Sequence, residues 1–261
     1  MSESGVTRRD FLRESAAIAA AGSAALTGGV SRAAGPTAPQ RWLVIGGHPD
    51  DEAKAAALIL TERKPADELI VLVMRLCGEG GIYGRKDFPR EHCIATRSAE
   101  MEESARFLRA RVRWWLPPHP AAVNIAATPE NVEKMARLIN EIRPTRILTH
   151  WEEEDPHPDH VGTSRLVQEA IKRLDFPGER ELVFWGQLGR EQHQKNFVPN
   201  RYVDISDPAL LASVLWSFFL HRSQASLRYM EKHLNYYRFH GRQAGVEYAA
   251  GYVVNKLSRP A

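Results

Sequence analysis

Two short apolar runs separated by a helical pattern constrain this chain more than any other feature. Arg41 to Gly46 (R-W-L-V-I-G) is closed by Gly46-Gly47, and Glu68 to Leu76 (E-L-I-V-L-V-M-R-L) is closed by Gly78. Runs of this length without polar alternation suit strands buried on both faces. Between them, Asp51 to Arg63 carries alanines and leucines at helical spacing, behind two aspartates able to cap a first turn. Strand, helix and strand in this order make a βαβ unit, and a crossover through a helix returns the second strand parallel to the first.

The alternation continues. Helical patterns cover Arg90 to Arg109, Pro129 to Ile142 and about Val161 to Leu174, with strand patterns at Val112 to Leu116, Thr145 to His150, Leu182 to Gln187 and Tyr202 to Ile205; Leu210 to Phe239 reads as mostly helical. The predicted fold class is α/β: a Rossmann-like, doubly wound, mainly parallel sheet with helices on both faces. At 261 residues and 43% hydrophobic, the chain holds enough for one such domain, placed at residues 40–256. Ligands of open α/β sheets bind where the carboxyl ends of the strands meet the following loops.

Residues 1–34 differ in composition from the rest. Thr7-Arg8-Arg9-Asp10-Phe11-Leu12-Arg13 leads into an Ala/Gly-rich run from Ser15 to Gly29 and then Ser31-Arg32-Ala33-Ala34. A basic start, a short weakly apolar stretch and small residues near a cleavage point describe a signal peptide, and the paired arginines resemble a twin-arginine signal. The expectation is export through the twin-arginine machinery to a periplasmic or extracellular location, without a stable membrane span in the mature form, since the run is short of ~20 strongly apolar residues. The formal charge of +3 is too small to suggest a nucleic-acid protein. Cys77 and Cys93 are the only cysteines; in an oxidising compartment they could pair, but buried thiols are the preferred reading. An oligomer is possible.

Two segments carry the chemistry. His48-Pro49-Asp50-Asp51-Glu52 begins just past the first predicted strand, and His157-Pro158-Asp159-His160 sits in the loop after the strand ending at His150. Each has a bland reading: Asp50 and Asp51 as helix caps with His48 a turn residue, and the second as an acidic, His-rich surface loop. Both in register with strand ends point instead to one crevice. Catalytic zinc keeps three protein ligands and an open position; His48, Asp51 and one histidine of the second motif supply them. Asp50 is then the general base toward water whose pKa the metal lowers. Asp159 could hold His157 in one tautomer, so that His157 stabilises a tetrahedral intermediate or protonates a leaving nitrogen. The reaction class is metal-assisted hydrolysis.

H-P-D-D-E after a strand, followed by T-H-W and H-P-D-H, resembles the PIG-L (LmbE-like) family of zinc-dependent N-acetylglucosaminyl deacetylases, over about Arg41 to Tyr252. The resemblance implies zinc, or another divalent transition metal such as Fe2+, on His48, Asp51 and His160. It implies Asp50 as base, His157 and Asp159 serving the transition state, and a small N-acetylated sugar or glycoconjugate as substrate. Arg97 with Glu100 resembles the family's R-x-x-E helix, making Arg97 a sugar or phosphate contact; a salt bridge is the competing reading. His221-Arg222-Ser223-Gln224 resembles a late H-x-S-Q element, for which packing and capping is the preferred reading. Val214, where lysine is frequent, and Tyr248 to Tyr252, which lacks an acidic residue often seen there, depart from the pattern and put substrate choice and oligomer contacts in doubt.

Other signals fail. Gly80-Gly81 lacks a following G-K-[ST], and neither G-x-S-x-G nor H-E-x-x-H occurs. One of Trp114 and Trp115 must be core if they lie in a strand. Two other functions stay open: the same metal site cutting another amide, such as a thiol conjugate or acylated metabolite, and a non-catalytic sugar-binding relative. Loops 78–93 and 117–128 would separate the amide substrates, and the intact acid and histidine set speaks against the binding-only protein.

Overall fold

The computed structural model describes residues 38–76, 81–83, 85, 87–115, 125–153, 155–186, 196–225 and 227–259. The proposed signal segment, Cys77, residues 78–80, 84 and 86, and most of the 117–128 loop lie outside these. The strands are β1 (Arg41–Gly46), β2 (Glu68–Val73), β3 (Arg111–Trp114), β4 (Arg146–His150), β5 (Gly178–Trp185), β6 (Arg201–Asp204) and β7 (Ala249–Arg259). They form one sheet in the order β3-β2-β1-β4-β5-β7-β6. All pairings from β3 to β5 are parallel, whereas β7 runs antiparallel to both β5 and β6. The mainly parallel α/β prediction is therefore met.

The helices are α1 (Ala56–Glu62), α2 (Arg90–Leu108), α3 (Pro129–Ile142), α4 (Pro158–Ile171), α5 (Pro208–Phe219) and α6 (Leu227–Ala244). Strict alternation along β1 divides the core between the two faces of the sheet. Trp42 and Val44 join a cluster with residues of α1, α2, α5 and α6, while Leu43 and Ile45 join one with α3 and α4. Both faces are thus covered, which is why the β1 and β2 sequences are uninterrupted apolar runs. Trp115 is core and Trp114 is 38% exposed, so the pair splits as a strand requires.

Three helices begin with proline at the first position behind a side-chain cap: Thr128 accepts from Asn131 N, Asp207 from Leu210 N, and His157, through Nδ1, from Asp159 N. Proline costs nothing there because that N–H has no helical partner. As a result α4 starts three residues before the sequence pattern suggests, and His160 lies on its first turn rather than in a loop. The expected helix at Asp51 is a 3-10 turn, Asp51–Ala55, continued by α1. Strand β7 has no counterpart among the predicted elements; its small residues, glycine and charges lack both periodicities. Cys93 is buried and disulfide-bonded, in place of the expected buried thiol. Among the described residues no helix is long and apolar enough to cross a membrane.

Two features make stability predictions. A Cβ on Gly162 of α4 would lie 1.9 Å from the Ile125 carbonyl oxygen, so Gly162→Ala should cost about 1–3 kcal/mol in chemical denaturation by forcing segment 125–127 off the helix. His240 is buried with Nε2 unpartnered among the described residues, and burial lowers its pKa from 6.5 to about 4. The unfolded chain then takes up a proton below pH 6.5 that the folded one refuses until about pH 4. Stability should fall by about 2 kcal/mol between pH 7 and 5 from this group, and His240→Gln should flatten that slope in urea titrations at the two pH values.

Candidate metal centre

Strands β1 and β4 are hydrogen-bonded neighbours, with Trp42 opposite Arg146 and Val44 opposite Leu148. They are also where the strand order reverses direction, the point at which a crevice opens at the carboxyl edge of such a sheet. His48 follows β1 and His157 to His160 follow β4, so the two motifs meet although about a hundred residues separate them. Bare glycines permit the approach: a Cβ on Gly47 would stand 3.0 Å from His160 Cδ2, and one on Gly46 2.8 Å from Asp51 Cβ.

The centre is organised around Asp51, which is 2% exposed. Its Oδ2 accepts from the His48 backbone N–H at 2.8 Å and lies 3.5 Å from His160 Nε2, 3.2 Å from His150 Nε2 and 4.0 Å from His48 Nδ1. Its Oδ1 accepts from Lys54 Nζ at 2.9 Å. Neither Asp50 nor Asp51 caps the turn through its side chain; the capping alternative is not what these carboxylates do. Burial alone would raise the Asp51 pKa, but Lys54, His160 and His150 together hold it well below the ordinary value.

His48 and His160 are oriented alike. His48 shares Nε2 with Asp159 Oδ2 at 3.0 Å, leaving Nδ1 toward Asp51. His160 shares Nδ1 with Asp155 at 3.1–3.2 Å, leaving Nε2 toward Asp51. A carboxylate behind the far ring nitrogen fixes the tautomer and makes the near nitrogen a better donor, as at protein metal sites generally. Bonds of 2.0–2.2 Å at tetrahedral angles put ligand atoms about 3.3 Å apart, which the spacings around Asp51 Oδ2 approach. Burial lowers the His48 pKa to about 4, so the ring is neutral and able to ligate at neutral pH. The residues present therefore fit a divalent metal.

Possible ligand atoms fall into two overlapping triads among the described residues, His48, His157 and His160, and Asp51, His150 and His160. The trio expected from the sequence is divided between them. His150 is an addition to that trio, read from the sequence as the end of a strand and part of T-H-W, without a ligand role. Its Nδ1 receives the Trp185 indole N–H at 3.2 Å, while Gly47 N–H approaches Nε2 at 3.1 Å. An indole only donates, so a proton on Nε2 satisfies both Trp185 and Asp51, whereas a proton on Nδ1 satisfies Gly47 alone. The first tautomer makes His150 a donor to Asp51.

The supporting residues differ in part from expectation. The Asp159 carboxylate faces His48 and, at 3.0 Å, Arg75 Nη1; its link to His157 is the backbone N–H received by His157 Nδ1 at 3.3 Å. That bond still fixes His157 with its proton on Nε2. Asp50 takes a left-handed backbone conformation, φ 107°, that costs a non-glycine residue roughly 1–3 kcal/mol. Arg97 donates to the Pro49 carbonyl and lies 3.5 Å from Asp50 Oδ1, while Glu52 accepts the Asp50 N–H at 3.0 Å. Burial raises the Asp50 pKa to about 6, against the pull of Arg97.

Behind this turn, Glu52 Oε1 pairs with His221 Nε2 and Ser104 Oγ, and Glu100 accepts from Ser223 N and Oγ. The late H-x-S-Q element thus braces the first motif and α2, beyond the packing and capping read from sequence, and Glu100 serves Ser223 rather than Arg97. Asp155, read as part of a surface loop, has a side chain only 1% exposed. No sequence signal separates it from Glu152 and Glu153; its spacing from His157 acquires meaning only once His160 is placed. A groove of about 600 Å³ between segment 125–127 and α4 has Asp155 and Arg165 in its wall.

The family PIG-L, described as GlcNAc-PI de-N-acetylase, matches residues 43–171, which hold both motifs. These residues form a PIG-L domain. A Bacillus cereus protein described as probable N-acetyl-alpha-D-glucosaminyl L-malate deacetylase 2 is 26% identical over 206 residues, 73% of this chain and 86% of its own length. An N,N'-diacetylchitobiose deacetylase structure from Pyrococcus horikoshii superposes with a TM-score of 0.66 at 22% identity, covering 83% of this chain and 84% of its own. A 4-carboxy-2-hydroxymuconate hydratase from Pseudomonas putida gives 0.65 at 15% identity, with 85% and 98% covered. At such identities the structures share a fold, and a hydratase among them means that in this PIG-L protein the reaction must be argued from the site.

If a divalent metal binds here, Asp155→Asn should weaken its binding about 10–100-fold by releasing the His160 ring, measured with Zn2+ as the probe by competition with a chromophoric chelator, with the unfolding midpoint as a check on the fold.

Proposed function

We propose that this PIG-L protein is a zinc-dependent N-deacetylase that hydrolyses the acetamide of an N-acetylglucosamine-type sugar or conjugate. The observation that carries the reading is the pair of imidazoles, His48 and His160, each backed by a carboxylate and aimed at one oxygen of Asp51. His48, Asp51 and His160 would hold the metal. When bound, it would supply a Lewis acid that polarises the amide carbonyl and eases deprotonation of water.

The remaining steps fall to the protein. Asp50, with its pKa raised to about 6 by burial, is ionised at neutral pH yet basic enough to take a proton from the attacking water. His157, held by Asp159 N–H with its own proton on Nε2, offers a hydrogen-bond donor to the developing oxyanion, and the proton that Asp50 has taken from water passes to the leaving nitrogen. Arg75 and Asp159 keep His48 in place. Arg97, read from the sequence as a substrate contact, is 4% exposed; its position favours holding the Asp50 turn, with a sugar or phosphate contact secondary.

The substrate class draws support from the relatives, whose names specify an N-acetylglucosaminyl malate and an acetamido-glucopyranosyl inositol. The reading includes export by the twin-arginine route, which rests on Thr7 to Leu12 and lies outside the described residues.

The test quantifies bound metal in the purified protein and measures acetate release from N-acetylglucosamine, its malate and inositol conjugates and diacetylchitobiose. Chelator-sensitive release restored by zinc is the expected result; zinc binding without release from any of them would overturn the substrate class. Asp50→Ala should keep metal and lose about 10²–10⁴ in kcat, and His160→Ala should lose the metal itself. Normal turnover in both variants would refute Asp50 as the base and His160 as a ligand.

A further inference from the structure

Lys54 is an unusual neighbour for a metal-ligating carboxylate. Its side chain is 5% exposed, one 3-10 turn beyond Asp51, and its ammonium donates to Asp51 Oδ1 at 2.9 Å. It also faces Asp155 and Asp50 electrostatically. Backbone contacts hold the lysine from the other side: the Tyr252 hydroxyl, from β7, donates to the Lys54 carbonyl at 2.9 Å. The cation is therefore built into the site and cannot swing to solvent without unpacking the turn.

We propose that Lys54 determines metal specificity: by occupying Asp51 Oδ1 it confines that carboxylate to one ligating oxygen, and so favours four-coordinate, nitrogen-preferring ions over six-coordinate, oxygen-preferring ones. The inference rests on the metal-dependent reading above. A bidentate carboxylate needs both oxygens near 2.0–2.2 Å from the ion. Here that would set a divalent cation within about 4–5 Å of a buried ammonium, where like charges repel strongly. With Oδ1 occupied, Asp51 Oδ2 and the two imidazoles supply three donors, the number a zinc-type site uses. Mn2+ prefers more oxygens and octahedral geometry, and loses most from the missing one.

Charge acts in the same direction on all divalent ions. Asp50, Asp51, Asp155 and Asp159 are set against Lys54, Arg75 and Arg97, four negative groups against three positive, with Glu52 paired separately to His221. Removing Lys54 leaves four against two, which strengthens attraction for any divalent ion while freeing Oδ1 for those that can use it.

The test compares wild type, Lys54→Met and Lys54→Arg as metal-free full chains, titrated with Zn2+ and Mn2+ against a chromophoric chelator, and with Co2+ while recording its visible spectrum. In Lys54→Met the preference for Zn2+ over Mn2+ should fall at least tenfold and the intense bands of four-coordinate Co2+ should weaken; Lys54→Arg should keep both near wild type. If Lys54→Met does not fold, Lys54→Gln supplies the neutral variant and the same two readings decide. A neutral variant with the wild-type ratio and spectrum overturns the role of Lys54 while leaving the metal reading intact. A wild-type protein that binds neither Zn2+ nor Co2+ overturns both.

Discussion

The buried Asp51 carboxylate is the point on which the rest of the site depends. A lone ionised carboxylate in a protein interior is costly, and it persists only where opposing charges and hydrogen bonds surround it. Asp51 has them from four directions: Lys54 on Oδ1, and the His48 N–H, His150 and His160 around Oδ2. Those partners come from the loop after β1, the end of β4 and the first turn of α4. The carboxylate therefore ties the two strands at the switch point into one rigid cluster, and a metal held there would inherit a prearranged set of donors.

Around this hub, the protein supports backbone strain beside the metal centre. Asp50 sits in a left-handed conformation because both sides of its peptide are held, the Pro49 carbonyl by Arg97 and the Asp50 N–H by Glu52. Glu52 is in turn fixed by Ser104 and His221. Each link is a buried, charge-assisted contact, so the position of the proposed base is over-determined by the residues around its turn. The same principle governs His48 and His160, whose far nitrogens end on Asp159 and Asp155.

The fold is legible in the sequence wherever burial on both faces produces continuous apolar runs or strong caps. The β1, β2 and β4 patterns, the Pro129 helix and the alternation of elements all survive almost unchanged. Strand β7 is invisible there because A-A-G-Y-V-V-N-K-L-S-R satisfies neither periodicity; it is a strand because β5 and β6 pair with it, not because its residues insist on it. The start of α4 is obscured because the histidine that caps it is an uncommon capping residue, and Pro158 reads equally well as a loop residue.

The sequence by itself determined the chemistry available: two motifs rich in ligand-type side chains, each at the end of a buried strand, and hence one shared crevice in a parallel sheet. Only the tertiary structure decided which ring nitrogen faces inward, that Asp159 serves His48 and Arg75, that Asp155 serves His160, and that Lys54 takes one oxygen of Asp51. The supply of ligand-type side chains is a property of residue type and local spacing, which a sequence displays directly. Orientation and charge balance depend on how β1, β4 and the helices around them pack, and that packing joins residues on the order of a hundred positions apart, a relation that no local pattern displays.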